Sequence, residues 1–410
     1  MRRLAVAAAL LLLIISFVPA AAGRDFASEV KLNMNSETLK QEVTVHAFVD
    51  GDTTHFNVPV SVSPSGVLKA RYLGLNTPES TGKIEEYGKK AASFTREKLE
   101  SASSIIIESD DPNWNVDSSG GRVLVWVWYR TGNSGQYRNL NIELLQNGLA
   151  NAYSTANNRY GTTAMAALNY AKENKLNLFS GQKDPDYYYG DAVELTLREL
   201  RCNVAEYDGI KVAFEGVITM NDGGSIYVED YDADTDRYYG ISVYYGHGLP
   251  GKALEILSVG NMSRIVGTVQ YYENGGIYQV SGLTYRQMKP KDPGNVQLIS
   301  SGHSGAFVPT DAWLFANGRV EVESQVYDYA YLSLDTTVSM SGLKVVSAES
   351  TDDGVNLICR SGGAEVAVRV GYREDSRTFK GKTVDIRGIV ALHDGGYEIK
   401  VLSQKDITII

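Results

Sequence analysis

The chain is short of cysteine, of histidine and of positive charge, and each shortage excludes something. Two cysteines, Cys202 and Cys359, stand among 410 residues. Neither has a Cys or His neighbour at ligand spacing, which excludes a zinc site built on them. They fit either two free thiols or one disulfide, because pairing depends on distance in the fold. Of the five histidines, His46 and His55 fall on strand-like segments and are expected to be structural. His247, His303 and His393 lie in glycine-rich turns and are expected at the surface. The formal net charge is −10, most of it from residues 201 to 410. That balance argues against a large nonspecific grip on nucleic acid, which needs many cationic side chains to neutralise phosphates. Any polyanionic substrate must meet a local basic patch.

Long apolar runs are also scarce. The one that exists follows Met1-Arg2-Arg3, runs for about 15 residues, and ends at Pro19 and a small-residue site, Ala20-x-Ala22. It is shorter than the ~20 residues a spanning helix needs and has the layout of a cleavable export signal. Residues 1 to 23 are therefore expected to be a signal peptide, the mature protein to be secreted, and no stable membrane association to follow.

What is present is strand pattern, interrupted once by helices. VTVHAFV, THFNVPV and VLKARYLGL read as three strands, the first two joined by Asp50-Gly51-Asp52. From Glu85 to Glu100 the spacing becomes helical, with Tyr87, Ala91, Phe94, Thr95 and Leu99 on one side and lysines on the other. Two strands follow, SIIIES and RVLVWVWY, then helices from about Leu140 to Asn147 and from about Tyr160 to Lys175. This predicts a small α+β barrel with three helices over roughly residues 40 to 182, with GQKDPDYYYGD as its exit linker. Beyond it helical signals stop and the pattern is all β. RIVGTVQYYENGGIYQVSGL (264–283) matches DIRGIVALHDGGYEIKVLS (385–403), and FEGVITMNDGGSIYVED pairs loosely with MSGLKVVSAESTDDGVNLICR. Two such copies predict two small Greek-key barrels, 196–290 and 312–410, joined by the linker KPKDPGNVQLISSGHSG.

The residues that carry chemistry gather in the first unit. Asp52, in the hairpin, could share a hard divalent cation with the Asn76-Thr77 loop if adjacent strands bring the two together, since such a cation takes carboxylate, amide and carbonyl oxygens. Phosphodiester hydrolysis needs a charge clamp, a base for water and a cation on a phosphate oxygen. Arg71 supplies a planar fork that matches phosphate, Glu79 a carboxylate for water, and Arg122 a second guanidinium after Gly120-Gly121. Singly, each has an ordinary structural reading; the ordered set points to phosphoryl chemistry.

VDGDT (49–53), RYLGLNTPE (71–79), EEYGKKAASFTREKLE (85–100), GGRVLVWV (120–127), LNIELLQNGLANAY (140–153) and NKLNLFS (174–180) resemble, in order and spacing, the staphylococcal nuclease (thermonuclease) family. The resemblance implies an OB-type barrel with three helices that uses Ca²⁺ to cleave DNA and RNA and leaves 3′-phosphate ends. It implies Asp52 as a direct calcium ligand, Asp50 as an outer carboxylate, and Thr77 as a ligand through its backbone carbonyl. Glu79 would act on the attacking water, Arg71 and Arg122 would hold the phosphate, and Tyr153 would line the nucleotide pocket. Asn76 stands where the best-known members carry a metal-binding aspartate, so one ligand charge is lost and millimolar calcium affinity is expected. The segment before Arg122 departs from the family spacing, and Ser154, Thr155 and Ala156 follow Tyr153 without the pocket's second tyrosine.

The two later modules resemble OB-fold domains that accompany secreted nucleases. Tyr239, Tyr244, Tyr245, Tyr271, Tyr272 and Tyr278 either pack those barrels or offer platforms for single-stranded nucleic acid. The rival reading is a nucleic-acid-binding protein with a catalytically idle nuclease fold, for which Asn76 is the support.

Overall fold

The computed structural model describes residues 24–81, 84–118, 121–132, 135–246, 255–273, 275–283 and 296–410. The export segment, Gly120 and His247 lie outside them. Alternation builds the first barrel. In β3 (Val67–Tyr72) Leu68, Ala70 and Tyr72 are buried, which turns Lys69 and Arg71 to the other face. With β1 (Lys40–Asp50), β2 (Thr53–Asn57), β4 (Ser104–Glu108) and β5 (Val123–Arg130) it closes in the order β1-β2-β3-β5-β4-β1. Every pairing is antiparallel except β3 with β5. Phe56, Leu68, Tyr72, Val125 and Val127 share the inner face, while Trp126 and Trp128 are buried on the other face against Tyr160.

Three helices pack on this barrel. In α1 (Gly88–Glu100) Ala91, Thr95 and Leu99 are buried, the face expected from the spacing. It begins three residues later than the pattern suggests, because Tyr87 sits at φ 63, outside helical geometry. The helices α2 (Leu140–Gln146) and α3 (Gly161–Glu173) follow, α2 capped by the Asn139 side chain. The chain before residue 40 also joins this core: Phe26 and Ala27 are buried in it, and Arg138 reaches back to Asp25 at 2.6 Å.

The same winding recurs twice. In the second barrel β6 (Lys211–Asn221), β7 (Ser225–Asp232), β8 (Arg237–Tyr244), β9 (Asn261–Tyr272) and β10 (Ile277–Ser281) close as β6-β7-β8-β10-β9-β6. In the third, β11 (Thr337–Ser350), β12 (Val355–Ser361), β13 (Ala364–Val370), β14 (Thr383–His393) and β15 (Gly396–Val401) close as β11-β12-β13-β15-β14-β11. In each the third and fifth strands are parallel. The repeated sequence motifs are thus equivalent strand pairs: β9–β10 with β14–β15, and β6–β7 with β11–β12.

Two expectations are corrected. Helices do not stop after the first unit: α4 (Leu197–Cys202) is held by a Thr196–Glu199 capping box, and single turns form at Ala312–Asn317 and Tyr329–Leu332. They are too short to show periodicity, so only their caps betray them. Nor is the second linker free chain throughout, because Gln297–Ser301 is a strand paired with Asn261–Arg264 of β9, satisfying backbone groups that an edge leaves open. The exit linker is irregular but anchored, with Asp184 buried and accepting the Tyr87 N–H at 2.5 Å. Both cysteines are free, Cys359 buried in the third barrel and Cys202 half-buried at the end of α4. Among the described residues no helix is long and apolar enough to cross a membrane.

The second and third barrels are joined by buried polar groups. Arg201, 1% exposed, donates to the Gly240 carbonyl at 2.6 Å and to the Asp335 carboxylate at 2.6 Å. Glu229, 2% exposed, accepts from the backbone N–H of Ala306 (2.8 Å) and of Thr337 (2.6 Å) and from the Thr337 hydroxyl (2.8 Å). Removing one member strands a charge where water cannot reach it. Arg201→Leu is expected to lower stability by about 3–5 kcal/mol in urea unfolding, and adding Asp335→Asn should restore part of that loss. An unchanged midpoint for the single variant would show that the pair does not hold the joint.

Candidate active site

Strand register assembles the site before any side chain is considered. A bulge between Phe48 and Asp50 ends β1, and the hairpin then closes over Gly51 and Asp52, with Asp50 opposite Thr53. Across β2 and β3, Thr53 lies opposite Arg71. Across the parallel β3–β5 pair, Arg71 lies beside Leu124, which brings Arg122 to the same end. Leu75–Asn76 pairs with Asn151–Ala152, so Tyr153 stands at the rim.

The Asp52 carboxylate is the hub. It is fully buried, accepts the Thr77 N–H at 2.8 Å and the Thr53 hydroxyl at 3.1 Å, and pairs with the Arg71 guanidinium. Asp50 accepts the Asp52 N–H at 3.1 Å. The other arm of Arg71 donates to the Asn76 side-chain oxygen, and the Asn76 amide donates to the Thr77 carbonyl at 3.1 Å. Arg122 is held by Asp117 at 2.7 Å and reaches the Thr53 hydroxyl at 3.5 Å. Burial, and then the charge of Asp50, push the Asp52 carboxyl up to about 8 against the pull of Arg71 and the Thr77 N–H. Burial and Asp50 likewise raise half-buried Glu79, opposed by Arg71 and Arg122. Asp52 and Glu79 therefore face the same two neighbours, Asp50 and Arg71.

Every expected site residue is at this end of the barrel. Asp50, Asp52, Arg71, Asn76, Thr77, Glu79 and Arg122 converge, while Tyr153 is 65% exposed and packs in no core. Three supports went unrecognised in the sequence. Asp117 orients Arg122, its signal being only a carboxylate five residues upstream. Thr53 bridges Asp52 and Arg122. Thr95 of α1 donates to the Gly51 carbonyl at 2.6 Å and pins the hairpin tip. His46, His303 and His393 are exposed or nearly so and His55 is half-buried, none within the cluster.

The donor set suits a hard cation. Among the described residues no three His, Cys, Asp or Glu side chains gather tightly enough to hold a metal alone. A cation here would depend on the Asn76 amide and Thr77 carbonyl beside Asp52, an all-oxygen set of the kind calcium takes. The closeness of Asp50 to buried Asp52 also leaves negative charge that a divalent ion would offset, reversing the upward push on Asp52.

The hairpin tip has no room for a side chain at Gly51. A Cβ there would lie 2.8 Å from the Ala91 Cβ and 2.9 Å from the Thr77 side chain. Gly51→Ala is therefore expected to cost about 1–3 kcal/mol of stability and to move Asp52 away from Thr77. The check is thermal unfolding alongside calcium titration; a variant with wild-type values for both would refute the close fit.

Residues 69–181 match the family model described as "Staphylococcal nuclease homologue". No curated protein matches the chain. The match begins after the Asp50–Asp52 hairpin, which the barrel's own strand pairing returns to the matched segment. Residues 69–181, which supply the third strand onward and the helices of the first barrel, are thus a segment similar to the staphylococcal nuclease family.

Proposed function

We propose that the chain is a secreted, calcium-dependent nuclease that hydrolyses phosphodiester bonds of DNA, RNA or both and leaves 3′-phosphate ends. The observation that carries this reading is the convergence of Asp52, Arg71, Glu79 and Arg122 at one end of the barrel, on four separate segments of chain. Glu79 takes the proton from water as its oxygen bonds to phosphorus, and its raised affinity for protons makes it a better base than an exposed carboxylate. Arg71 exchanges its present partners, Asp52 and Asn76, for the nonbridging oxygens of the phosphate, to which its planar fork is matched. Arg122, already oriented by Asp117, holds the same group from the β5 side. The bond to the 5′ oxygen then breaks, that oxygen takes a proton from solvent to become a hydroxyl, and phosphate is left on the 3′ side. Calcium bound through Asp52, Asn76 and the Thr77 carbonyl, with Asp50 behind them, would supply positive charge to a phosphate oxygen.

The export signal in residues 1–23 supports a setting where calcium is abundant, which suits a site with one ligand charge fewer. The specific observation favouring an idle, purely binding fold is Asn76. Against it stand the Glu79 carboxylate and the Arg71 and Arg122 guanidinium groups, which lie at one end of the barrel.

Cleavage of plasmid and of single-stranded oligonucleotide by the mature chain, in calcium and then in chelator, separates the two. Activity is expected only with calcium. Glu79→Gln should lower kcat by about 10²–10⁴-fold while calcium still binds, and Arg71→Ala by about 10²–10³-fold. Undiminished cleavage by the double variant would end the mechanism. Asn76→Asp should tighten calcium binding from the roughly millimolar range, measured by calorimetry; equal affinity would show that residue 76 does not face the ion.

A further inference from the structure

A cleft of about 1250 Å³ runs between the first barrel and the second barrel. One wall belongs to the site just described, with Asp50, Asn76 and Pro78; the other carries Tyr244, Tyr271 and Tyr272 of the second barrel. These tyrosines stand at particular places in that barrel. Tyr244 ends its third strand, and Tyr271 and Tyr272 end its fourth, where the chain turns toward the fifth. Ser225, at the start of its second strand, borders the same space. In barrels wound this way, the second and third strands and the loops at their ends form the surface on which oligonucleotides lie. The winding thus turns that surface of the second barrel toward the edge of the first barrel's site, at Asp50, Asn76 and Pro78.

The two walls are close. Gln270 donates from its side-chain amide to the carbonyl of Ser80. That bond ties the end of the fourth strand, which carries Tyr271 and Tyr272, to the segment of chain that follows Pro78 and Glu79. Tyr271 is 47% exposed and Tyr272 44% exposed. Tyr271 leans on Tyr278 with ring centroids 4.9 Å apart, which steadies it. Tyr239, by contrast, is buried in the barrel and offers nothing to a ligand.

Charge decides how a strand would be held. Two cationic side chains of the cleft are already matched, Arg96 to Glu273 and Glu100 and Lys89 to Asp208 at 3.4 Å; Lys211 lines it as well, but Asp50, Glu85, Glu86, Asp184 and Asp186 outnumber it with further carboxylates. Phosphate neutralisation is therefore a poor source of affinity here. Base stacking, which is sequence-tolerant and releases no counterions, is the better one.

We propose that this cleft is an accessory subsite of the second barrel that binds the single-stranded nucleic acid flanking the scissile phosphate. Bases stack on Tyr271 and Tyr272, and a phosphate displaces Glu273 from Arg96. The identity of the strand as substrate rests on the nuclease reading above; the subsite itself is a feature of the joint between barrels. Two consequences separate it from a surface patch. Binding should fall only weakly with added salt, and only substrates long enough to leave the site should benefit from the tyrosines.

The test uses the full mature chain, its Tyr271→Ala/Tyr272→Ala variant and its Glu273→Gln variant. Binding of a fluorescein-labelled 20-nucleotide thymidine strand is read by anisotropy, in chelator and, in a Glu79→Gln background, in calcium. Cleavage in calcium is followed on the same strand and on a chromogenic mononucleotide phosphodiester. The tyrosine variant should bind the 20-mer about tenfold more weakly or worse and raise its KM to match, with kcat/KM for the mononucleotide ester unchanged. Glu273→Gln should tighten the 20-mer by removing one of the two carboxylates that hold Arg96. Wild-type affinity and KM for the 20-mer in the tyrosine variant would overturn the proposal, as would an equal loss on the mononucleotide ester. A chain that cleaves neither substrate defeats the nuclease reading, while the anisotropy comparison still decides the cleft.

Discussion

The buried Asp52 carboxylate is the constraint on which the candidate site depends. One of its oxygens receives the Thr77 N–H, tying the first hairpin to the segment that leads into Pro78 and Glu79. The other receives Arg71 from the neighbouring strand. An unpaired carboxylate with no solvent exposure would be strongly unfavourable, so these partners are obligatory to the fold as well as useful to the chemistry. Around that hub the remaining groups have little freedom: Arg71 is fixed by register opposite Thr53, and Arg122 by Asp117.

The parts of this arrangement that sequence reveals are the ones written in local pattern. Strand alternation, the Asp-Gly hairpin and the helical face of Ala91, Thr95 and Leu99 are each encoded within a dozen residues, and all reappear in the structure. The convergence of the site residues was legible only because their order resembles a known family. Nothing local to Asp117 announces that it aims Arg122, and nothing near Thr95 says that its hydroxyl donates to a carbonyl in another segment. Short helices escape for a related reason: Leu197–Cys202 makes under two turns, too few for a period, and is specified by its cap alone.

The second half shows the same division. Its repeat was visible as paired glycine-turn motifs, and those motifs are equivalent strands of two barrels with one winding. The relation between barrels was not visible. Arg201 and Glu229 look in sequence like surface charges on a polar helix and strand, yet both are buried where the barrels meet. The tyrosines divide likewise: composition groups them, and only the fold separates buried Tyr239 from Tyr271 and Tyr272 at the cleft.

The Arg201 and Glu229 contacts bear on how the molecule comes apart. Both reach forward to residues 334–337, immediately before and at the start of the third barrel's first strand. Opening either barrel uncovers a charge belonging to the other, so local unfolding cannot stop at the boundary between them. The two behave as one cooperative foldon, whereas the first barrel meets the rest through the exposed pairs Arg96–Glu273 and Lys89–Asp208, the Gln270–Ser80 hydrogen bond and one anchored linker, with no buried charge shared across that joint among the described residues.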